Sequence, residues 1–425
     1  MNASPYLPDR SVTMRWCYVI LFALVALAGA PGLSFADNHD VAARLKQLEA
    51  TLQQMQATIQ QQAAEIQRLQ AQLPQPAPPA KAEPEKEALA PLKTSPGIEL
   101  HGFVDGSFTA SNREDVGDGN ARSSFQIDSV ELDIIKPVGN RAGFRVDLDY
   151  NRDAAGGFSV DVEQAIMSVK LGRGVMADFG KFNVPIGWEL LDAPDLYQFS
   201  HSNVFNLGIP SLATGVRLLQ QPVGWFDWQV YLVNGWDTNH DNNDTKTVGG
   251  RFGFTPRKWL NVGLSAITGA EQDDDTRNNR VVLDLDYTIK PTEKLLVGGE
   301  FNYGREEDEP FVLAAGRTAD ADWFGVLITV HYDLLSWLGF TWRFDYFNDE
   351  DGARVAAFGA PLLSDAGGQE LKSFTFAPTF KITDNLGGLL EYRHDWSSRD
   401  TYLERGGLRA RDNRDSVAVE LTYKF

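Results

Sequence analysis

At 425 residues, with 43% hydrophobic and 23% charged positions, the chain has room for one large domain plus accessories. Beyond the N-terminus no stretch supplies the roughly 20 consecutive apolar residues a membrane helix needs, which argues against a helical membrane protein. The formal net charge of −19 makes nucleic acid a poor partner, because binding there relies on Lys and Arg neutralising phosphates. The single cysteine, Cys17, falls inside the leader described next, so the remainder needs neither a disulfide nor a thiolate metal site.

Residues 1–36 read as a signal peptide. Arg15 is the positive flank, Trp16 to Ala28 an apolar core too short to span, and Ser34-Phe35-Ala36 the small-residue site that places cleavage after Ala36. Met14 opens a more typical leader than Met1 does, which leaves either methionine as the start. Over residues 37–73, Val41, Leu45, Leu48, Leu52, Met55, Ile59, Gln62, Ile66, Leu69 and Leu73 follow at alternating spacings of four and three. That heptad seam predicts a periplasmic coiled coil about 50 Å long, with Gln62 the one polar seam residue, a device that sets register. The competing reading is a lone amphipathic helix packed on a globular core, and no such core follows. Residues 74–96, rich in Pro, Ala, Lys and Glu, predict an extended spacer.

From Gly97 to Phe425 the pattern changes to period two. Ala142, Phe144, Val146, Leu148 and Tyr150 alternate with Arg145, Asp147 and Asp149; Phe226, Trp228, Val230 and Leu232 with Asp227, Gln229 and Tyr231. Val281, Leu283, Leu285 and Tyr287 alternate with Asp284 and Asp286; Leu338, Phe340, Trp342, Phe344 and Tyr346 with Thr341, Arg343 and Asp345. Apolar-out, polar-in strands predict an all-β transmembrane barrel with a wet interior, at residues 97–425. About sixteen antiparallel strands are expected, starting near residues 98, 122, 141, 158, 175, 212, 225, 246, 258, 279, 294, 321, 337, 370, 387 and 413. Short turns are expected at 137–140, 172–174, 221–224, 255–258, 290–294, 333–336 and 383–386, alternating with long acidic loops such as 241–244, 271–275, 306–309 and 348–352. The last strand carries Val417, Val419, Leu421, Tyr423 and Phe425 on one face, and its aromatic end, Tyr423 and Phe425, is the expected barrel-insertion signal.

The connection after the fifth strand, residues 183–211, is far longer than usual and contains Trp188, Leu190, Leu191, Tyr197, Phe199, Val204, Phe205 and Leu207. A loop so apolar has to pack against something, and the lumen is the available place. The runs GKFNVPIGWE at 180–189 and FSHSNVFNLGIPSLATGVRL at 199–218 resemble the OmpL-like β-barrel porins and, more distantly, the phosphate-selective porins. Its place in the chain also resembles the third, constricting loop of general porins. The resemblance covers roughly residues 97–425 and implies a channel of about sixteen strands, often trimeric in relatives, with no particular solute.

Selectivity in such a channel comes from charge lining the pore. The inward loop offers Glu189, Asp192, Asp195 and His201. Inward parity on the wall offers Arg145, Arg217, Arg251, Arg343 and Arg393, interleaved with Asp147, Glu300, Asp345 and Glu391. Opposed acidic and basic walls would set up a transverse field; the plainer alternative is that these charges pair across the interior and keep it hydrated. The acidity of the chain favours a weak cation preference, whereas a phosphate-selective channel would call for a basic ladder. Asp273, Asp274 and Asp275 are either solvated tips or ligands for divalent cations bridging to lipopolysaccharide, although no spacing matches a dedicated calcium loop. The six histidines lack metal-ligand spacing, and His201 beside Ser202 makes a poor nucleophile–base pair, so neither catalysis nor a cofactor is expected. The leading expectation is a passive outer-membrane diffusion channel for small hydrophilic solutes or ions, with lipid, lipopolysaccharide and two more copies of itself as partners. The second is a structural tether using the coiled-coil stalk, with peptidoglycan as a partner.

Overall fold

The computed structural model describes residues 97–113, 123–152, 158–310, 318–355, 368–404 and 409–425. The expected signal peptide, coiled coil and spacer lie outside the described residues. The strands are β1 (Glu99–Ser111), β2 (Ser123–Val138), β3 (Ala142–Arg152), β4 (Phe158–Gly172), β5 (Val175–Asn183), β6 (Leu212–Val223), β7 (Phe226–Val233) and β8 (Thr247–Arg257). They continue as β9 (Leu260–Ala270), β10 (Asn279–Thr292), β11 (Leu295–Pro310), β12 (Thr318–Leu335), β13 (Leu338–Asp349), β14 (Gln369–Lys381) and β15 (Leu386–Ser397). A two-residue hairpin, β16 (Tyr402–Leu403) and β17 (Ala410–Arg411), precedes the last strand, β18 (Asn413–Lys424).

β1 to β15 pair antiparallel in chain order, β15 pairs with β18, and β18 pairs with β1, which closes a barrel of sixteen strands. Closure matters because a lipid-facing sheet edge would leave backbone N–H and C=O groups without partners. The largest offset from the expected starts is at β12, anticipated near 321 and beginning at Thr318.

The period-two pattern maps onto two environments. On β13, Trp342 and Phe344 are exposed on the outside, while Thr341, Arg343 and Asp345 are buried inside. Val216, Val230, Leu232, Phe252, Leu264, Leu283, Leu285, Val326 and Ile328 continue the apolar outer band. Trp225 and Trp259, exposed at the short turns, lie where amphipathic rings meet a membrane interface. The turns are tight: Gly172, Arg173 and Gly174 all carry positive φ, at 116°, 51° and 81°. Two glycines relieve most of the strain that β-carbons would impose there.

Two expectations are corrected. Glu306 to Glu309, anticipated in an outer loop, belong to β11, because Glu306 turns inward, is buried and pairs with Arg280. The interior is also not polar throughout. Phe182, Val184, Ile186, Phe205, Leu207, Ile209, Val233, Trp236, Ile267, Val282, Trp323 and Phe347 form one apolar cluster inside the barrel. Its members come from the inward faces of strands and from the long loop, so an apolar core forms where that loop meets the wall.

Candidate functional site

The loop from Val184 to Ser211 leaves β5, crosses the lumen and returns to β6, with a short 3₁₀ turn (Ala193–Asp195) and one π turn (Val204–Gly208) on the way. Its first stretch lies on β9 to β11. Ser265 Oγ donates to the Pro185 carbonyl at 3.2 Å, the Gly187 N–H donates to Asp284 at 3.2 Å, and the Trp188 N–H donates to Glu300. Gly187 has φ +86°, and a β-carbon there would run into Ile209, so glycine is needed for the bend. The Trp188 indole N–H reaches Thr288 Oγ1 at 3.0 Å, and its ring lies over Gly298, where a β-carbon would occupy the space of the indole. Tyr197 stacks on Trp188 with centroids 6.2 Å apart and meets the His331 ring at 4.6 Å.

The middle of the loop docks on β13 to β15. Glu189 accepts from Arg343 Nη1 at 2.6 Å, and the two side chains are 1% and 0% exposed. Ser202 donates to the same carboxylate from N–H (2.9 Å) and Oγ (2.5 Å), and Gln198 Nε2 donates at 3.1 Å. Burial pushes the Glu189 carboxyl up, but the Arg343 charge and the Ser202 donors outweigh it and hold it below its ordinary value. Arg343 also donates to the Ser200 carbonyl and Oγ. Arg393 donates to the His201 carbonyl at 2.6 Å and to Asp395 at 2.7 Å, while the Ser200 N–H donates to Glu391 at 3.1 Å and Asn203 Nδ2 to Asp345 at 2.8 Å. Farther on, the Gly208 and Leu207 carbonyls accept from Trp323 Nε1 at 3.2 Å and Arg354 Nε at 2.7 Å.

The wall residues singled out from parity all turn inward, and the loop sorts them. Arg343, Asp345, Glu391, Arg393 and Glu300 lie beneath it as its anchors. Arg217 pairs with Asp178 at 2.7 Å and Arg251 with Asp286 at 2.9 Å. Arg145 bridges Asp147 at 2.7 Å and Asp133 at 3.4 Å. Of the loop residues, Asp195 approaches Lys424 Nζ at 3.7 Å. His201 Nε2 lies 2.8 Å from the Leu190 carbonyl and its ring stacks on Phe205 at 4.1 Å; burial pulls its pKa down, so the ring is neutral near pH 7. Asp192 faces the opposite wall, where burial and the Asp195 and Asp133 carboxylates push its pKa up to about 6.

That opposite side holds a cavity of about 520 Å³, between the loop and β1 to β5 with β18. Its carboxylates are Asp105, Asp128, Glu131, Asp149, Asp161, Glu163, Asp192 and Glu420, against one lysine, Lys181, whose ammonium already donates to the Val162 carbonyl at 2.7 Å. Most of this acidic wall escapes a parity argument applied strand by strand, since its members come from six separate segments. Two further cavities border the loop: one of about 460 Å³ between its first half and β7, β8 and β10, and one of about 350 Å³ beside Tyr197 and His331 at the short turns. At the opposite end, Asp273 accepts from Asn242 at 2.9 Å and Asp275 from the Arg277 and Asn278 N–H groups at 2.6 and 3.0 Å. Those carboxylates hold neighbouring loops in shape. Phe425 exchanges backbone hydrogen bonds with Gly102, at 3.0 and 3.3 Å, beside the β1–β18 seam.

The family model described as "Putative beta-barrel porin-2, OmpL-like" matches residues 97–425. A search of curated proteins finds none that matches. Solved structures similar to this chain include the outer-membrane channel DcaP of Acinetobacter baumannii, 17% identical, with a TM-score of 0.58 over 79% of this chain and 100% of that one. The anion-selective porin from Comamonas acidovorans is 12% identical, with a TM-score of 0.55 over 77% and 99%. The trimer form of Vibrio cholerae OmpT, also 12% identical, has a TM-score of 0.53 over 77% and 99%. These likenesses establish the outer-membrane porin fold.

Proposed function

The chain belongs to the OmpL-like β-barrel porin family, and from that membership we propose that it is a passive outer-membrane channel with a preference for cations, constricted by the loop at 184–211. One observation carries the choice of sign: among the described residues, the cavity beside the loop is lined by eight carboxylates and a single lysine. The arginines that could have countered them, Arg343 and Arg393, do not line that cavity and are paired beneath the loop with Glu189, Asp345 and Asp395. A narrow, one-signed wall in a low-dielectric barrel concentrates counter-ions, and acidic rings favour cations. The transverse field expected from opposed charged walls is therefore weak along this route, because one wall is neutralised. Glu189, Asp192, Asp195 and His201 belong to the constriction in this reading. The carboxylates that line the cavity act on permeating ions, and Arg343, Glu391 and Arg393 act through the loop by positioning it.

Reversal-potential measurement in a salt gradient across a planar bilayer tests this. Cation over anion permeability is the expected result, and an anion preference would overturn the reading. The heptad seam at 41–73 supports a second, compatible role as a stalk that joins protomers or reaches the cell wall; unchanged trimer content after deletion of residues 37–96 would remove the assembly part of it. In the same reading Tyr423 and Phe425 present the chain for barrel insertion.

A further inference from the structure

We propose that Glu131 on β2, Glu163 on β4 and Asp192 on the constriction loop together bind one calcium ion, which ties the loop to the acidic wall. This deepens the channel reading but stands on its own geometry. One carboxylate oxygen from each residue lies within 4.8 Å of the other two. Ligands at the usual calcium–oxygen distance of 2.3–2.6 Å from a common centre lie no farther apart than about 5 Å, so this spacing admits one ion.

A second observation points to an ion at this group. Glu131 is 2% exposed, and its Oε2 is buried with no hydrogen-bond donor. A buried carboxylate oxygen normally has a donor or a metal, because leaving it bare forfeits its hydration. The cations nearby are engaged elsewhere: Arg145 bridges Asp147 and Asp133, and Lys181 donates to a backbone carbonyl. Glu131, Asp133 and Asp147 also cluster, but there Arg145 supplies the positive charge. Glu163 spends one oxygen on the Asn183 side-chain amide at 3.0 Å and keeps the other. Ligands from two strands and a loop make an irregular set. Calcium accepts this more readily than magnesium, which demands near-ideal octahedral geometry.

The consequence is mechanical as well as electrostatic. The loop is anchored on β9 to β15 by many direct hydrogen bonds, whereas on the β2–β4 side it presents a carboxylate to carboxylates. With calcium that contact becomes a crosslink across the acidic cavity.

The test is calorimetric titration of calcium chloride into the full chain, purified in detergent and stripped with chelator. The expected result is one site per chain, with the dissociation constant weakened at least tenfold in both Asp192→Asn and Glu131→Gln. Asp192→Asn lies on the loop, outside the strands, so it keeps the readout available if Glu131→Gln fails to assemble. No calcium heat in the wild type overturns the proposal. So does binding retained in Asp192→Asn, which would assign the ion to other acidic groups such as the outer loops. Because the readout is binding rather than conductance, a failure of the channel reading leaves this result separately interpretable.

Discussion

Replacing Arg343 by Met tests what holds the loop inside the barrel. Met nearly preserves volume but removes the guanidinium that pairs with Glu189 at 2.6 Å, donates to Ser200 and reaches Thr375 Oγ1 at 3.2 Å. With the side chains of both partners essentially unexposed, solvent screening is minor. Removing one member of such a pair costs about 3–5 kcal/mol, since the other charge stays buried. That cost falls on loop docking rather than on the strand ladder, whose backbone pairing does not involve Arg343's side chain. The expected phenotype is a chain that still assembles, shows protease cleavage between residues 184 and 211, and conducts more than the wild type. Double replacement, Glu189→Leu with Arg343→Met, should restore much of the docking, because an apolar pair of similar volume is often neutral relative to a buried ion pair. The pH dependence gives a third arm. The Glu189 carboxyl is held below its ordinary value, so its contribution to docking is complete above its unfolded value near ~4.3 and is lost as pH falls through the lower folded value. Wild-type conductance should therefore rise only under strong acid. If Arg343→Met matches the wild type in both protease resistance and conductance, the pair is not what holds the loop.

Gly298→Val should displace Trp188, whose ring fills the space a β-carbon would take; overpacking of this kind costs about 1–3 kcal/mol, read as a shift in tryptophan emission together with larger conductance. Cation preference should weaken as pH drops from 7 to 5. The Asp192 carboxyl, raised to about 6, takes up a proton over that range and is ~90% neutral at pH 5, so a flat reversal potential would place Asp192 away from the ion path. Replacing Asp161 by Asn should move the reversal potential toward zero while leaving protease resistance of the loop unchanged. Deleting Phe425 removes its paired hydrogen bonds to Gly102 and its exposed ring, and the expected result is a large loss of heat-modifiable barrel in outer-membrane fractions.

How much of this was legible beforehand differs by level. Strand positions were, because a wall between lipid and water forces apolar and polar side chains to alternate, and that alternation is written directly in segments such as 142–150 and 338–346. The sixteen-strand count and short-turn placement follow from the same rule. The long loop announced that it needed burial through Trp188, Tyr197, Phe205 and Leu207, and parity marked Arg343 and Arg393 as inward. Glu306 was misplaced, because a charged run reads as loop when the arginine that neutralises it, Arg280, is on another strand.

What period-two patterning could not decide was which charges meet and which stay open. Inward parity treats Arg343 and Glu131 alike, yet the loop covers the first and faces the second. That outcome depends on where small residues such as Gly298 let the loop approach, and on donors brought together from positions more than a hundred residues apart, as Glu189 and Arg343 are. The sequence by itself therefore determined the cylinder and its two faces, since each strand's pattern is local. Only the tertiary structure decided which charges pair beneath the loop and which line the cavity beside it, because those pairings join residues far apart in the chain.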